Sequence, residues 1–231
     1  DIYTDTTFAL ALEGIRRGHE LFYYETRNLS LYKGILEAKG YPIITIKKEL
    51  GNHVSLGKME KRKLKDEEIV LMRQDPPFNS NFIYNTYVLE SAEREGVLVV
   101  NKPRSLRDCN EKVFATEFPE CCTPFLVTSK ASLLKSFIQD NKDTVIKPLD
   151  GMGGSSIFRL RNTDPNLNVI LETITDSFMT KVMIQTYIPE ITDGDKRILL
   201  VNGVPMSAAV ARVPAKGELR GNLAAGASAV A

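Results

Sequence analysis

The chain has 231 residues, of which 43% are hydrophobic, and its 30 basic and 29 acidic side chains leave a formal net charge of +1. This composition is typical of a soluble globular protein with one large domain or two modest ones. Charges of both signs are interleaved, and no apolar run approaches the roughly 18 residues of a membrane span. We therefore expect a cytoplasmic protein that binds neither nucleic acid nor a membrane.

The sequence offers no pattern for a zinc site or a cysteine nucleophile. Cys109, Cys121 and Cys122 form no Cys-x-x-Cys motif, and His19 and His53 lie far from them in sequence. We expect three reduced, structural thiols.

The first predicted element is a helix. Asp5 or Thr6 can cap it, and Phe8, Leu12 and Ile15 recur at helical spacing. A helix is an unusual beginning for an α/β pattern, and we expect an initial strand upstream of the sequence given. Three short strands are predicted next, over Glu20–Tyr24, Leu29–Lys33 and Tyr41–Ile46.

The stretch 47–68 mixes acidic and basic residues, and we expect a solvated helix or loop rather than a basic patch. Ile69–Met72 is an apolar run typical of a buried parallel strand, and Pro76 and Pro77 fix the loop after it. Because open α/β sheets bind ligands at the carboxyl ends of their strands, Arg73 is either a ligand for a substrate carboxylate or a surface arginine. A helix over Phe82–Glu95 and a strand over Val97–Val100 follow.

Ser105 can cap a further helix, in which Leu106, Cys109, Val113 and Phe114 lie on a rough apolar stripe. Lys112 lies inside this helix and off the stripe, so the pattern alone favours a surface lysine. Beyond it we expect a strand over Pro124–Val127, a helix over Ala131–Gln139 capped by Ser129, a helix over Pro165–Ile174 and a strand over Val182–Ile188.

The segment Val145–Leu160 is predicted to form a hairpin, because β-prone residues flank a loop that contains Gly151, Gly153 and Gly154. Lys147 precedes the glycines and lies on the incoming strand, unlike the lysine of a Walker-type phosphate loop. A strand lysine can hold a phosphate while the glycine tip folds over it from the other side. This pattern alone favours an ordinary glycine-rich turn.

Asn202 and Gly203 separate two apolar runs, which is the strongest short-range signal for a hairpin. Arg212 follows the second run, and Arg220 lies in 214–226, a segment rich in glycine and alanine. Such a segment fits a mobile lid over anionic substrates, and its composition fits a disordered segment as well. The two runs are Ile198–Val201 and Val204–Ala211.

Five short blocks carry a combined signal. They are Arg73–Phe78, Asn101–Lys112, Lys147–Gly154, Gly194–Arg197 and Arg220–Gly226. Taken together and in this order, the blocks resemble the bacterial glutathione synthetases, which are members of the ATP-grasp superfamily. The resemblance extends over essentially the whole chain, and five blocks in one order are far more specific than any one of them.

The resemblance implies an ATP-grasp fold of mixed α/β and α+β class. A Rossmann-like pre-ATP-grasp domain over 1–108, without its first strand, would bind the dipeptide substrate. A small ATP-grasp domain with a glycine-rich lid would span 109–188, and the beginning of a C-terminal ATP-grasp domain would span 189–231.

The implied reaction joins glycine to γ-glutamylcysteine. ATP phosphorylates the cysteinyl carboxylate, and the glycine amine attacks the acyl phosphate with release of ADP and phosphate. The resemblance also implies Mg²⁺ as a cofactor and a homotetramer. Two alternatives stay open: another ATP-grasp carboxylate–amine ligase, such as one that adds glutamate or D-alanine, and an ATP-binding module that has lost catalysis.

The resemblance assigns site residues position by position. Lys112 and Lys147 would hold the nucleotide phosphates, which promotes Lys112 from a surface lysine to a ligand. Arg197, Arg212 and Arg220 are the expected catalytic cations. The expected nucleotide-binding set comprises Lys112, Lys147, Gly151, Met152, Gly153, Gly154, Ser155, Gln185, Thr186, Tyr187, Ile188, Asp195 and Arg197, with the glycine tip over the β- and γ-phosphates and residues 185–188 at the adenine edge. The expected substrate-binding set comprises Asp5, Arg73, Arg212, Arg220 and Asn222, of which the first two belong to the dipeptide site.

Metal ligands are not expected in this sequence. Family members carry Asp, Glu and Asn residues that bind the metal in a C-terminal segment, and no such acidic cluster follows the predicted lid. We therefore expect the sequence to be an incomplete piece of a longer, active enzyme and not to be catalytically competent by itself.

Overall fold

The computed structural model of the chain describes residues 2–218 and 220–230. The chain divides into two compact units, Asp1–Asp108 and Cys109–Ala231. The end positions of the predicted domain ranges, 1 and 231, and position 219 of the predicted lid lie outside the described residues. Among the helices of the described ranges, none has the length and hydropathy needed to cross a membrane.

The first unit combines an antiparallel sheet, a parallel strand pair and helices. Its elements in chain order are α1 (Thr6–Arg16), β1 (Phe22–Tyr32), β2 (Ile35–Ile46), β3 (Val54–Leu56), β4 (Glu60–Lys63), β5 (Ile69–Leu71), α2 (Ser80–Arg94), β6 (Leu98–Val100) and α3 (Pro103–Asp108). Strand β2 is the hub of the antiparallel sheet and pairs with β1, β3 and β4, whereas β5 pairs with β6 in parallel.

One long hairpin replaces the three short strands predicted near the beginning of the chain. Tyr24 and Leu29, which fell in separate predicted strands, both belong to β1, and the pairing register shifts between them. Strand β2 begins at Ile35, well before the predicted beginning, because Lys33 and Gly34 form a tight turn with φ of 50° and 81°. The pairing of β1 with β2 therefore begins directly at the turn.

The prediction of a solvated helix or loop over 47–68 is wrong. Strands β3 and β4 within this stretch both pair with β2, and Leu64 directly after β4 is fully buried. The charged side chains still lie largely outside, and Arg62 covers the Phe22 ring at 4.6 Å from its centroid. Local composition could not reveal these strands, because the pairing partner is supplied by a distant segment.

The predicted parallel strand at Ile69–Met72 is confirmed as β5, but it is buried on one face only. Val70 and Val99 belong to the core that Leu89 of α2 also enters, whereas Ile69 is 53% exposed. The apolar run had suggested burial on both faces. Within this unit the described core covers the strand pair from one side.

The helix predicted from Ser105 to Phe114 is wrong at both ends. Helix α3 begins at Pro103, where proline is well suited to the first helical turn, and it ends at Asp108. The Asn110 side chain then accepts hydrogen bonds from the backbone N–H groups of Lys112 and Val113, and thus forms a turn in place of a helix. Lys112 consequently lies in a turn.

The second unit contains two sheets. Its elements in chain order are β7 (Phe125–Thr128), α4 (Ala131–Asn141), β8 (Asp143–Pro148), β9 (Phe158–Arg161), α5 (Leu167–Ile174), β10 (Val182–Thr186), β11 (Asp195–Val201), β12 (Val204–Val213) and β13 (Ser228–Val230). The strand orders are β7-β10-β8-β9 and β11-β12-β13, and the pairs are antiparallel. Leu134 and Ile138 of α4 and Leu171 of α5 pack against Ile146 and Ile184 of the first sheet.

The predicted order of elements in this unit is confirmed, with corrections at the boundaries. Ser129 does not cap α4: Lys130 occupies the cap position, and its N–H donates to the Thr128 hydroxyl at 3.1 Å. Helix α5 begins at Leu167, slightly later than predicted. Strand β10 ends at Thr186, before the predicted end, although the Tyr187 N–H still donates to the Asp143 carbonyl at the beginning of β8.

The hairpin predicted at Asn202 and Gly203 is confirmed. Both residues have positive φ, 51° and 79°, as a two-residue hairpin turn requires. Strand β12 continues to Val213, so Arg212 lies within the strand rather than beyond it. The short strand β13 beside it was not predicted.

Candidate active site

The glycine-rich loop connects β8 to β9. The last pair of the ladder joins Ile146 to Phe158, and Lys147 follows directly on β8, where its backbone pairs with Met183 of the neighbouring strand. The predicted strand–loop–strand arrangement is therefore present, with Lys147 at the base of the loop. Met152 at the tip is half exposed, and its carbonyl accepts a hydrogen bond from the Ser155 N–H at 3.2 Å.

Lys112 reaches this loop from its own turn. Its Nζ donates to the backbone carbonyl of Gly151 at 2.8 Å and to the Glu111 carboxylate at 2.7 Å. The Lys112 side chain is only 12% exposed, which contradicts the surface position that the sequence pattern favoured. An ammonium has three donors, so one remains for a ligand at the loop.

Lys147 lies near Lys112 in a shielded position. Burial lowers the pKa of Lys147 below its ordinary value, and the positive charge of Lys112 lowers this pKa further. Glu111 and Cys122 act in the opposite direction and offset part of the shift. Two neighbouring ammonium groups in a partly buried place form a site that an anion would stabilise.

The predicted lid contacts the glycine loop in this structure. Arg220 Nη1 donates to the Gly154 carbonyl at 3.2 Å, while the Glu218 carboxylate holds the same guanidinium with bonds of 2.9 and 2.6 Å. A Cβ atom built on Gly154 would lie 2.8 Å from Asn222 Oδ1. Gly154 also has φ of 81°, so both its backbone conformation and its surroundings require glycine.

Asp195 and Arg212 form a two-point ion pair across β11 and β12. The two residues are directly opposed, and the hydrogen bonds measure 2.7 Å from Nε and 2.5 Å from Nη2. Gly221 of the predicted lid packs against the Asp195 carboxylate, where a Cβ would lie 2.8 Å from Oδ2. Arg197 is two residues along β11 and hence on the same face, and it is exposed. These contacts connect Arg212 to the lid. Within residues 2–218 and 220–230, no hydrogen bond or ion pair joins Arg197 to the glycine loop.

The predicted adenine edge follows β10. The N–H of Thr186 donates to the Pro124 carbonyl and the N–H of Tyr187 donates to the Asp143 carbonyl, both at 3.0 Å. Both N–H groups therefore already donate hydrogen bonds within the protein. Arg159 stacks on the Tyr187 ring at 3.6 Å from its centroid and forms two hydrogen bonds with the Asp143 carboxylate. The predicted role of Gln185–Ile188 at the adenine stays a prediction.

Asp5 and Arg73, the predicted dipeptide-binding residues, belong to the first unit. Asp5 caps α1, and its Oδ1 accepts the Phe8 N–H at 2.7 Å. Arg73 Nε donates to the Thr7 hydroxyl in the first turn of the same helix at 3.2 Å. Both residues therefore lie at the N-terminal end of α1, whose free N–H groups and positive dipole end favour anions such as a carboxylate.

Three residues at the glycine loop escaped prediction. Glu111 and Cys122 raise the pKa of Lys147 and so offset part of its lowering, and Asn110 donates through Nδ2 to the Leu149 carbonyl at 3.0 Å. An asparagine two residues before Lys112 was the available signal, because Asn side chains commonly bond to backbone N–H groups just ahead of them. In 2–218 and 220–230 no group of three or more His, Cys, Asp or Glu side chains is arranged to hold a metal ion.

Comparison with known proteins decides the family. A family model described as "Prokaryotic glutathione synthetase, N-terminal domain" matches residues 1–107, and "Prokaryotic glutathione synthetase, ATP-grasp domain" matches residues 111–231. The chain belongs to the prokaryotic glutathione synthetase family. The family and the ATP-grasp fold expected from the five sequence blocks are thus confirmed.

Relatives within the glutathione synthetase family are similar along nearly the whole chain. The glutathione synthetase of Vibrio vulnificus (strain CMCP6) is 49% identical over 228 residues, which cover 99% of this chain and 72% of the relative. That of Pseudomonas aeruginosa is 48% identical over 227 residues, which cover 98% of this chain and 71% of the relative.

Solved structures similar to this glutathione synthetase family member support the fold. The ATP-grasp ligase PsnB, complexed with a phosphomimetic variant of its minimal precursor, Mg and ADP, has a TM-score of 0.55 at 19% identity and covers 93% of this chain and 70% of its own. D-alanyl-alanine synthetase A from Vibrio cholerae has a TM-score of 0.52 at 12% identity, with 91% of this chain and 62% of its own covered.

Proposed function

We propose that this protein is an ATP-dependent ligase that joins the cysteinyl carboxylate of γ-glutamylcysteine to the amine of glycine. ATP transfers its γ-phosphoryl group to the carboxylate, and the glycine nitrogen displaces phosphate from the acyl phosphate. The products are glutathione, ADP and phosphate. Family membership supports the choice of substrates, and the arrangement of the second unit supports the use of ATP.

The observation that carries the proposal is the pair of lysines beside the glycine loop. Lys112 and Lys147 are both largely shielded, and the charge of Lys112 disfavours the charged form of Lys147. Two like charges in such a place destabilise the empty site, and a polyphosphate relieves that repulsion. Cations held in position before the reaction also stabilise the charge that develops on a phosphoryl group in transfer.

The lysines stabilise the phosphoryl group, and the lid excludes water from the acyl phosphate. Arg220 and Asn222 contact Gly154, so the two loops meet at one point. Arg212 is positioned by Asp195, and Arg197 on the same face is free to approach a substrate anion. These arginines are the candidates for binding the carboxylate and the transferred phosphoryl group.

Three further features of the proposal rest on family membership. We propose that Mg²⁺ accompanies the nucleotide, that the protein acts in the cytoplasm and that it assembles as a homotetramer. Mg²⁺ would neutralise phosphate charge when bound with the nucleotide.

A substrate-dependence assay tests the proposed function. ADP release by the purified full-length protein is measured with γ-glutamylcysteine plus glycine, with each substrate omitted in turn, and with glutamate or D-alanine in place of glycine. Release that needs both γ-glutamylcysteine and glycine supports the proposal. Release with another acceptor but not with glycine refutes it in favour of a different ATP-grasp ligase, and tight ATP binding without turnover refutes it in favour of a non-catalytic module.

A further inference from the structure

Asn110 bonds simultaneously to the turn that carries Lys112 and to the glycine-rich loop. Its Oδ1 accepts the backbone N–H groups of Lys112 and Val113, both at 3.0 Å, and its Nδ2 donates to the carbonyl of Leu149 at 3.0 Å. One side chain thus uses its acceptor on one segment and its donor on another. Its amide has no role in the chemistry proposed above.

Asn110 and Lys112 contact the loop in the same register. Asn110 bonds to the carbonyl of Leu149, and Lys112 bonds to the carbonyl of Gly151, so residues two apart in the turn reach carbonyls two apart in the loop. The Lys112 ammonium is therefore held near the loop by its own bond and by a second contact at the base of its turn. Without the bond from Asn110 to the Leu149 carbonyl, only the long, flexible Lys112 side chain would set the distance between its turn and the glycine loop.

We propose that Asn110 is a positioning residue for the nucleotide phosphates, which acts through Lys112 by fixing the distance between the lysine turn and the glycine loop. The inference rests on the proposed ATP site and extends it by a residue that does not itself touch ATP. A phosphate-binding cation contributes most when it is held in place before the ligand arrives.

Two substitutions separate the functions of the side chain. Asn110→Ser keeps a short acceptor for the N–H groups of the turn but cannot reach the Leu149 carbonyl. Asn110→Ala removes both contacts. Neither change introduces a charge beside the lysines. A change in ATP affinity therefore cannot arise from a new electrostatic repulsion.

The experiment measures ATP affinity of the full chain by calorimetry, alone and in a Lys112→Met background. We expect Asn110→Ser to weaken ATP binding about fivefold and Asn110→Ala to weaken it about tenfold or more, as expected for the loss of one hydrogen bond and of several. In the Lys112→Met background the effect of Asn110→Ser falls below about twofold, because the group through which it acts is gone.

A matched control removes a turn of the same kind elsewhere. The Asp164 carboxylate accepts the Asn166 N–H at 2.9 Å in the loop before α5, and Asp164→Ala therefore tests the general cost of losing such a turn. We expect its melting temperature to fall like that of Asn110→Ala, which also loses its turn acceptor, with ATP affinity unchanged.

Three outcomes overturn the inference: unchanged ATP affinity in Asn110→Ser, the same loss of affinity with and without Lys112, or an equal loss in Asp164→Ala. If Asn110→Ala does not fold, the serine variant alone decides the matter. ATP affinity does not depend on which acids are joined. Failure of the ligase assay therefore counts against the proposed function, and unaltered nucleotide binding in the variants counts against the role of Asn110.

Discussion

Lys112 Nζ lies 2.8 Å from the backbone carbonyl oxygen of Gly151, a residue that is 39 positions further along the chain. This bond joins a turn and a loop that have no relation in sequence. It brings the two predicted phosphate ligands, Lys112 and Lys147, to the same glycine-rich loop. Four predictions follow from the geometry of this loop and of the lid that contacts it.

The first prediction concerns the close contact at Gly154. Gly154→Ala must place a Cβ within 2.8 Å of Asn222 Oδ1 and 2.9 Å of Arg220 Cδ, on a backbone with φ of 81°. We expect the variant to lose about 1–2 kcal/mol of unfolding free energy because an L-residue is strained at this φ. We also expect kcat/KM for ATP to fall about 10- to 100-fold, because the lid and the tip can no longer meet.

Gly203→Ala is the matched control for Gly154→Ala. Gly203 has φ of 79°, but a Cβ there would meet no atom within 4 Å. Urea unfolding and steady-state kinetics on both variants should therefore show similar stability losses, with an effect on ATP only at Gly154. A similar kinetic loss in both variants would contradict a specific contact between lid and loop.

The second prediction separates two arginines on one face of the second sheet. Arg212 is 15% exposed and forms a two-point ion pair with Asp195, whereas Arg197 is exposed. We expect Arg212→Ala to lower the free energy of unfolding by about 1–3 kcal/mol, because it leaves Asp195 without its partner. Arg197→Ala should change it by less than about 0.5 kcal/mol.

Both arginine variants should lose turnover, since both are proposed to bind substrate anions. Denaturant titration and ADP release on the same preparations of the full-length protein test this prediction. Full activity in Arg197→Ala would remove that residue from the proposed site, and unchanged stability in Arg212→Ala would show that the ion pair is dispensable.

The third prediction is a pH dependence that arises from Lys147. Its pKa in the folded protein is lowered from about 10.5, so the unfolded chain binds more protons than the folded chain between the lowered value and 10.5. The contribution of Lys147 to stability therefore rises with pH across that window. Bound phosphates favour the charged lysine, so ATP affinity should fall as pH rises through the lowered pKa.

Calorimetric ATP titrations across this pH range in wild type and in Lys112→Met provide the check. Removal of the Lys112 charge should raise the pKa of Lys147 and move the loss of affinity to higher pH. An identical pH profile in the two proteins would mean that Lys112 does not influence Lys147.

The sequence predicts local features of this fold well. β-prone residues on both sides of a glycine cluster are enough to predict the hairpin that carries Lys147, and Asn202 with Gly203 is enough to predict the second hairpin. Asp5 is a strong cap and fixes the beginning of α1. In each case the physical cause lies within a few residues of the element.

Features that depend on distant partners were missed. Strands β3 and β4 exist because β2 offers them backbone partners, and their charged residues alone suggest a loop. The shielded position of Lys112 depends on the carbonyl of Gly151 and on a turn that Asn110 forms in place of a helix. The five blocks placed Lys112 at the nucleotide site through resemblance, while its local pattern indicated the surface.

The most direct test of the nucleotide site is a pair of calorimetric titrations of wild type and Lys147→Ala, one with ATP and one with γ-glutamylcysteine. Loss of a charged phosphate ligand is worth about 1.5–3 kcal/mol, so ATP affinity should fall about 10- to 100-fold. Affinity for the dipeptide should stay within about twofold. An equal loss for both ligands, or unchanged ATP affinity, would contradict the assignment of Lys147 and its loop as the phosphate site.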